Sequence, residues 1–334
     1  MTFITLMTVI MRILTDLFRL GEDYVELRCE KPPDPGSTSA VVLRGMQQIW
    51  FITGSLRGLG RALVMAALDA GDLVAATARR PGQLDDIAGS GGDRIQTLAL
   101  DVTDAAAARS AVAQARERFG RLDVVVNNAG YANVSPVETT EDEDFRAQFE
   151  TNFWGVYNVS KAAVPVLREQ GSGLFMQISS IGGRVGGSPG IASYQAAKFA
   201  IDGFSRVLQA ETAPFGVKVI VVEPSGFRTD WAGSSMTVHE IPEAYAATVG
   251  AMNTRVRRST TGPAGDPARA AAILVQVAKR SEIPYHLPLG VTAAESSIQL
   301  DEHLLAEDRR WRAVSRSADF AEPYPAEFPP DAAA

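Results

Sequence analysis

"QIWFITGSLRGLGRAL", residues 48–63, joins an apolar run rich in β-branched and aromatic residues to a glycine-broken turn and then to a helical pattern. The run ends at Thr53, and glycines stand at 54, 58 and 60. A strand that ends in such a turn and opens a helix leaves backbone N–H groups of the helix start without partners, and these attract negative charge. Glycine permits the tight turn and lets backbone approach a ligand closely. The stretch therefore reads as the first strand-turn-helix unit of an α/β sheet and as a cradle for a pyrophosphate. Its spacing is Gly-x-x-x-Gly-x-Gly, which differs from the more common Gly-x-Gly-x-x-Gly.

Downstream, further short apolar runs alternate with helical patterns. The strand candidates after the first are "LVAATA", "RIQTLAL", "DVVVNNA", "GLFMQIS" and "VKVIVVE", and helical stretches fall near 58–70, 104–119, 141–170 and 192–213. Nearly continuous apolar strands separated by helices predict a doubly wound, Rossmann-type parallel sheet with helices on both faces, in a single domain over 46–290. Ligands of such a sheet bind beyond the carboxyl ends of its strands. Residues 226–262 have no strong period, yet hold Trp231, Met236, Ile241, Tyr245 and Met252, so they read as a lid over a partly hydrophobic substrate. "GDPARAAAILVQVAKR" predicts a helix started by Asp266 and Pro267, "YHLPLG" an edge strand, and 291–334 a terminal helix and tail.

Composition sets the outer limits. The 334 residues are 46% hydrophobic and 21% charged with a net charge of −7, which suits a soluble globular protein and disfavours a general nucleic-acid binder. The one cysteine, Cys29, excludes an internal disulfide, and His239, His286 and His303 show no metal-ligand spacing. A reducing, cytoplasmic setting and a metal-free site are expected. The apolar start "MTFITLMTVIMRILTDLFRL" is interrupted by Arg12 and Asp16 well short of a membrane span, and "EKPPDPGSTSA" after it reads as a linker. Residues 1–45 are thus expected to be a weakly structured extension or a start assigned too early.

The end of the second strand bears on the choice of dinucleotide. A carboxylate there would bind a free ribose 2′-hydroxyl, whereas this chain reads "ATARRP", with Arg79 and Arg80 and no acid before Asp85. Arg57, inside the glycine turn, adds positive charge. Arginines at this place pair with a 2′-phosphate, so NADP(H) is favoured over NAD(H).

A tyrosine and a lysine one helical turn apart occur twice, as Tyr157 with Lys161 and as Tyr194 with Lys198. Only the second pair follows a strand ending in serines, "QISSIGG", that can place a hydroxyl at the mouth of the sheet. The first lies inside a long helix pattern and reads as a surface pair. A neighbouring ammonium is expected to lower the phenol from its ordinary value of about 10.

Thr53-Gly54-x-x-x-Gly58-x-Gly60, Asp101, Asn127-Asn128-Ala129-Gly130, Asn152, Ser180 and Tyr194-x-x-x-Lys198, taken in order, resemble the short-chain dehydrogenase/reductase family over residues 47–230. The resemblance implies an oxidoreductase that interconverts a carbonyl and an alcohol, with Tyr194 as acid/base and Ser180 orienting the reacting oxygen. It implies further that Lys198 holds the nicotinamide ribose and that Asn152 holds a relay water. The cofactor would be met by Thr53, Gly54, Ser55, Arg57, Gly58, Leu59 and Gly60 of the first turn, by Arg79, and by Asp101 with Val102. Asn128, Ala129 and Gly130 would follow, then Tyr194 with Lys198, and finally Pro224, Gly226 and Thr229. Two departures stand out. The gap from Ser180 to Tyr194 is one residue longer than the family's, with Ser179 adjacent, and Ser225 separates Pro224 from Gly226. The resemblance also implies a homodimer or homotetramer. The alternative function is a non-catalytic NADP(H)-binding regulator or scaffold, which would need only the turn and the arginines.

Overall fold

The fold is that of a computed structural model, which describes residues 47–229, 236–259, 265–324 and 327–330. The expected extension at 1–45, Cys29 and Trp231 lie outside the described residues. Strand β1 (Ile49–Ile52) leads through the glycine turn into α1 (Gly58–Asp69), and β2 (Leu73–Ala78) into the short α2 (Asp85–Gly91). After them come β3 (Ile95–Ala99), α3 (Ala105–Phe119) and β4 (Val124–Asn127). The next helical segment, α4 (Asp142–Phe149), passes through a π turn at Glu150–Trp154 into α5 (Gly155–Gln170). The remaining elements are β5 (Gly173–Ile178), α6 (Ala192–Thr212), β6 (Val217–Pro224), α7 (Ala251–Ser259), α8 (Pro267–Ala278), β7 (His286–Leu289) and α9 (Val291–Arg316).

All neighbouring strands pair in parallel, in a seven-stranded sheet ordered β3-β2-β1-β4-β5-β6-β7. Successive side chains of a strand point to opposite faces, and β1 shows the result. Trp50 and Ile52 enter a core with Leu63, Val64 and Leu274 from α1 and α8. Ile49 and Phe51 enter the opposite core with Ala111, Leu167 and Leu208 from α3, α5 and α6. The strand order reverses between β1 and β4, which opens a crevice at their carboxyl ends. Among the described residues, no helix is long and apolar enough to cross a membrane.

Strand ends match the apolar runs within a residue or two, and the predicted edge strand is β7. Two local features depart from the sequence reading: α2 lies between the elements that reading names, and the helix over 141–170 is interrupted by the π turn. The segment after β6 is tied down by isolated bridges, Phe227 to Gly265 and Val134 to Val238.

Candidate active site

The carboxyl ends of β1, β2, β4, β5 and β6 surround a cleft of about 2030 Å³. Its floor is stitched together by polar side chains. The Thr53 hydroxyl donates to Val126 O and accepts from the N–H groups of Asn128 and Ala129, while Asn128 Nδ2 donates to the carbonyls of Thr53 and Gly54. Ser55, fully buried, accepts from the Thr77 N–H and donates to Ile52 O, which pins the first turn to β2. Glycine is required at 60 by close approach, since a Cβ there would stand 2.3 Å from Gly54 O. At Gly54 and Gly58 it is required by φ of +65° and +57°.

Arg57 stands at the N-cap of α1 and gives the helix no side-chain cap, so the first-turn N–H groups face the cleft unpaired by a side chain. Leu59 lines the cleft beside them, and the exposed Arg57, Arg79 and Arg80 stand around this end of it. Asp101, Val102, Pro224, Gly226 and Thr229 line it as well, and Thr229 packs where a Cβ on Gly58 would meet it at 3.3 Å. Asp101 is held in a local turn by the N–H and hydroxyl of Thr103. Ser225, the extra residue after β6, donates its N–H to Leu289 O and so fastens this loop to β7. The donors and the glycine clearances suit a phosphorylated ligand laid across the crevice.

On the far side the sequence candidates come together. The hydroxyls of Ser180 and Tyr194 are hydrogen-bonded, and Lys198 Nζ lies 5.6 Å from the centre of the Tyr194 ring. Ser179 is directed elsewhere, to Lys198 O at 3.2 Å. Lys198 Nζ donates to Ile178 O at 2.7 Å, and a Cβ on Gly130 would lie 3.6 Å from it. Asn152, fully buried in the π turn, has its amide engaged by backbone: Nδ2 donates to Tyr131 O and Gln148 O, and Oδ1 accepts from the Tyr131 N–H. Tyr157 and Lys161 meet each other at 3.2 Å on the surface of α5, away from the cleft.

The electrostatics correct one expectation. Burial pushes the Tyr194 hydroxyl up to about 12, against the smaller opposing effect of the Ser180 hydrogen bond. Burial likewise pushes Lys198 down to about 8. The lysine was expected to lower the tyrosine, but its ammonium is aimed at Ile178 O, and burial of the phenol sets the direction instead.

Sequence reasoning missed the polar lattice beside the site. Asn133 donates its amide to Asp144 and accepts from the Thr237 N–H, Gln148 bonds both Asn133 and Asp144, and His239 lies 3.3 Å from Asp144. It also missed Gln195, which lines the cleft directly after Tyr194. Its position inside the Tyr-x-x-x-Lys motif was the available signal.

The short chain dehydrogenase family profile matches residues 48–238. The oxidoreductase BOA17 of Botryotinia fuckeliana is 49% identical over 271 residues, covering 81% of this chain and 98% of that protein. A short-chain dehydrogenase from Streptomyces avermitilis superposes with a TM-score of 0.76 at 37% identity, over 82% of this chain and 99% of that one. Another from Burkholderia cenocepacia, solved in complex with NADP, gives a TM-score of 0.62 at 25% identity, over 79% of this chain and 97% of that one.

Proposed function

The chain belongs to the short chain dehydrogenase family, and from that premise we propose that it is an NADP(H)-dependent oxidoreductase interconverting a ketone or aldehyde and an alcohol. The observation that carries the reading is the Ser180–Tyr194 hydroxyl pair, with Lys198 beside it, in the same cleft as the glycine turn and three arginines.

When bound, the cofactor supplies the hydride; the protein's own groups position the carbonyl and manage its proton. Thr53, Asn128 and the start of α1 hold the crevice open where a pyrophosphate would lie, and Arg79, with Arg57 and Arg80, would meet the 2′-phosphate. Pro224, Gly226 and Thr229, which line the other end of the cleft, would hold the nicotinamide end. Ser180 donates to the substrate carbonyl oxygen, and Tyr194 delivers its proton to that oxygen as negative charge develops there. A phenol at about 12 holds its proton at neutral pH, the form that can donate to the developing alkoxide. Lys198 would restore the proton to Tyr194 and hold the ribose, while Asn152, clamped to Tyr131, fixes the wall that any relay water would use.

Of the lid expected at 226–262, the described residues 236–259 cover the substrate side of the cleft. Met236, Val249, Ile241, Tyr245 and Met252 pack with Ala132, Val134, Ile191 and Tyr194, which supports a partly hydrophobic substrate. The protein is cytoplasmic and a homodimer or homotetramer; Trp154 and Phe199, 42% and 45% exposed, are aromatic surface that a second copy would cover.

The test is NADPH oxidation by the purified protein over a panel of ketones and aldehydes graded by size and polarity, with Tyr194→Phe alongside. We expect turnover that falls by about 100-fold or more in the variant, the scale of losing a general acid, with NADPH affinity nearly unchanged. Equal turnover in the two proteins would sink the mechanism.

A further inference from the structure

Gln195 carries a buried donor with no partner, one residue from Tyr194. The residue is 8% exposed, and its Oε1 accepts from the Ser188 N–H at 3.2 Å. That bond fixes the orientation of the amide, because a backbone N–H can only donate. Nε2 is left inside the protein without a hydrogen bond. Buried amide donors are almost always satisfied, and one that is not asks what satisfies it.

Its surroundings point to the substrate. Gln195 lines the same cleft as Ser180, Tyr194 and Lys198. A Cβ built on Gly182 would stand 3.1 Å from Gln195 Nε2 and 3.4 Å from Ser180 Oγ, so both polar atoms lie against this one glycine and a side chain at 182 would crowd them. Ser180 does not relieve the orphan donor, since no hydrogen bond joins Gln195 Nε2 to it and its oxygen is engaged by the Gly182 N–H and the Tyr194 hydroxyl. The loop whose Ser188 N–H holds Gln195 Oε1 includes Gly186, Gly187 and Gly190 at φ of +70°, +70° and +85°, conformations in which only glycine is at ease.

We propose that Gln195 is a specificity-determining residue that donates through Nε2 to a second acceptor oxygen of the substrate, one or two carbons from the reacting carbonyl. The substrate class is then a ketone or aldehyde bearing a neighbouring ester, thioester, amide or hydroxyl oxygen, rather than a simple aliphatic ketone. This inference rests on the carbonyl-reducing reading above. A neutral amide selects a neutral acceptor, and an analogue lacking that oxygen leaves the donor unpaired in the complex.

Two matched pairs test it: ethyl 3-oxobutanoate against 2-heptanone, and ethyl 3-oxooctanoate against 6-undecanone, which keep chain length and carbonyl position and differ in the ester. Affinities are measured by calorimetry on the NADPH complex of Tyr194→Phe, which needs no turnover, with and without Gln195→Met or Gln195→Glu. Glutamate keeps the acceptor for the Ser188 N–H and, once ionised, replaces the donor with a negatively charged acceptor. The parent is expected to favour the ester in each pair, and both substitutions to shrink the ester-to-ketone affinity ratio by about tenfold, the scale of one hydrogen bond. A ratio that stays within about twofold of the parent's, or no binding of any of the four compounds, overturns the assignment of Gln195. Absence of NADPH oxidation by the unmodified enzyme on compounds that do bind would instead count against the carbonyl-reducing reading, so the two failures are separable.

Discussion

At neutral pH the Tyr194 hydroxyl, raised to about 12 by its burial, is fully protonated, while Lys198, pushed down to about 8, titrates close to working conditions. The two signs have different consequences. Between about 8 and the ordinary 10.5 of a lysine the unfolded chain binds more protons than the folded one, so this group's contribution to stability improves as pH rises through that window. Its service to reduction runs the other way, because only the ammonium can restore a proton to Tyr194. The rate of reduction should therefore fall above about pH 8, read as a break in kcat/KM between pH 6 and 11. A break at 10 or beyond would show that the lysine keeps its ordinary value. Arg79→Ala should weaken NADPH binding by about tenfold or more while changing NADH binding little, the difference expected for a charge-assisted contact to a phosphate; equal losses would mean that Arg79 does not meet the 2′-phosphate. The candidate residues were legible as a set because motif order is a sequence property. The choice between Ser179 and Ser180 was not, since both are polar residues at a strand end and only the fold turns one to Lys198 O and the other to Tyr194. Nor was the direction of the tyrosine's shift, which depends on where the ammonium points.

Helices and strands were legible in proportion to how strongly their pattern repeats. β2 is the uninterrupted run "LVAATA" and was read to the residue, whereas α2 contains Asp85, Asp86, Gly89 and Gly91, which carry loop signals, and its roughly two turns are anchored by packing Ile87 into the core. The π turn changes no periodicity visible in the sequence, yet it carries Asn152 into contact with Tyr131. Helix α3 shows local chemistry acting alone: Asp104 at its N-cap accepts from the N–H groups of Ala106 and Ala107, and those bonds hold its carboxyl below the ordinary carboxylate range. Asp104→Ala should lower stability by about 1 kcal/mol, measured by urea denaturation, without altering turnover. A change in turnover would mean that α3 is coupled to the cleft.

For the molecule as a whole, the sheet and its two cores are complete within the described residues from Ile49 to Leu289. The Botryotinia relative is matched over 98% of its length by 271 residues of this chain, so a substantial part of the 334 residues has no counterpart there. A protein beginning at Met46 should thus fold with the same cooperative unfolding transition and retain turnover within about twofold; we base this on the closure of the cores. Loss of folding in that shortened protein would assign residues 1–45 a structural part. The glycine turn has a further consequence for how the chain is made. Trp50 pairs with Val74 on one side but with Val124 on the other, and the carbonyls of Thr53 and Gly54 are met by Asn128, 75 and 74 residues later. At about 5–20 residues per second, translation leaves the turn waiting roughly 4–15 s for that partner. The nascent amino-terminal segment is therefore a half-built crevice with an unmatched strand edge, and a ribosome stalled before Asn128 would hold a chain that chaperones must shield and that no nucleotide could rescue.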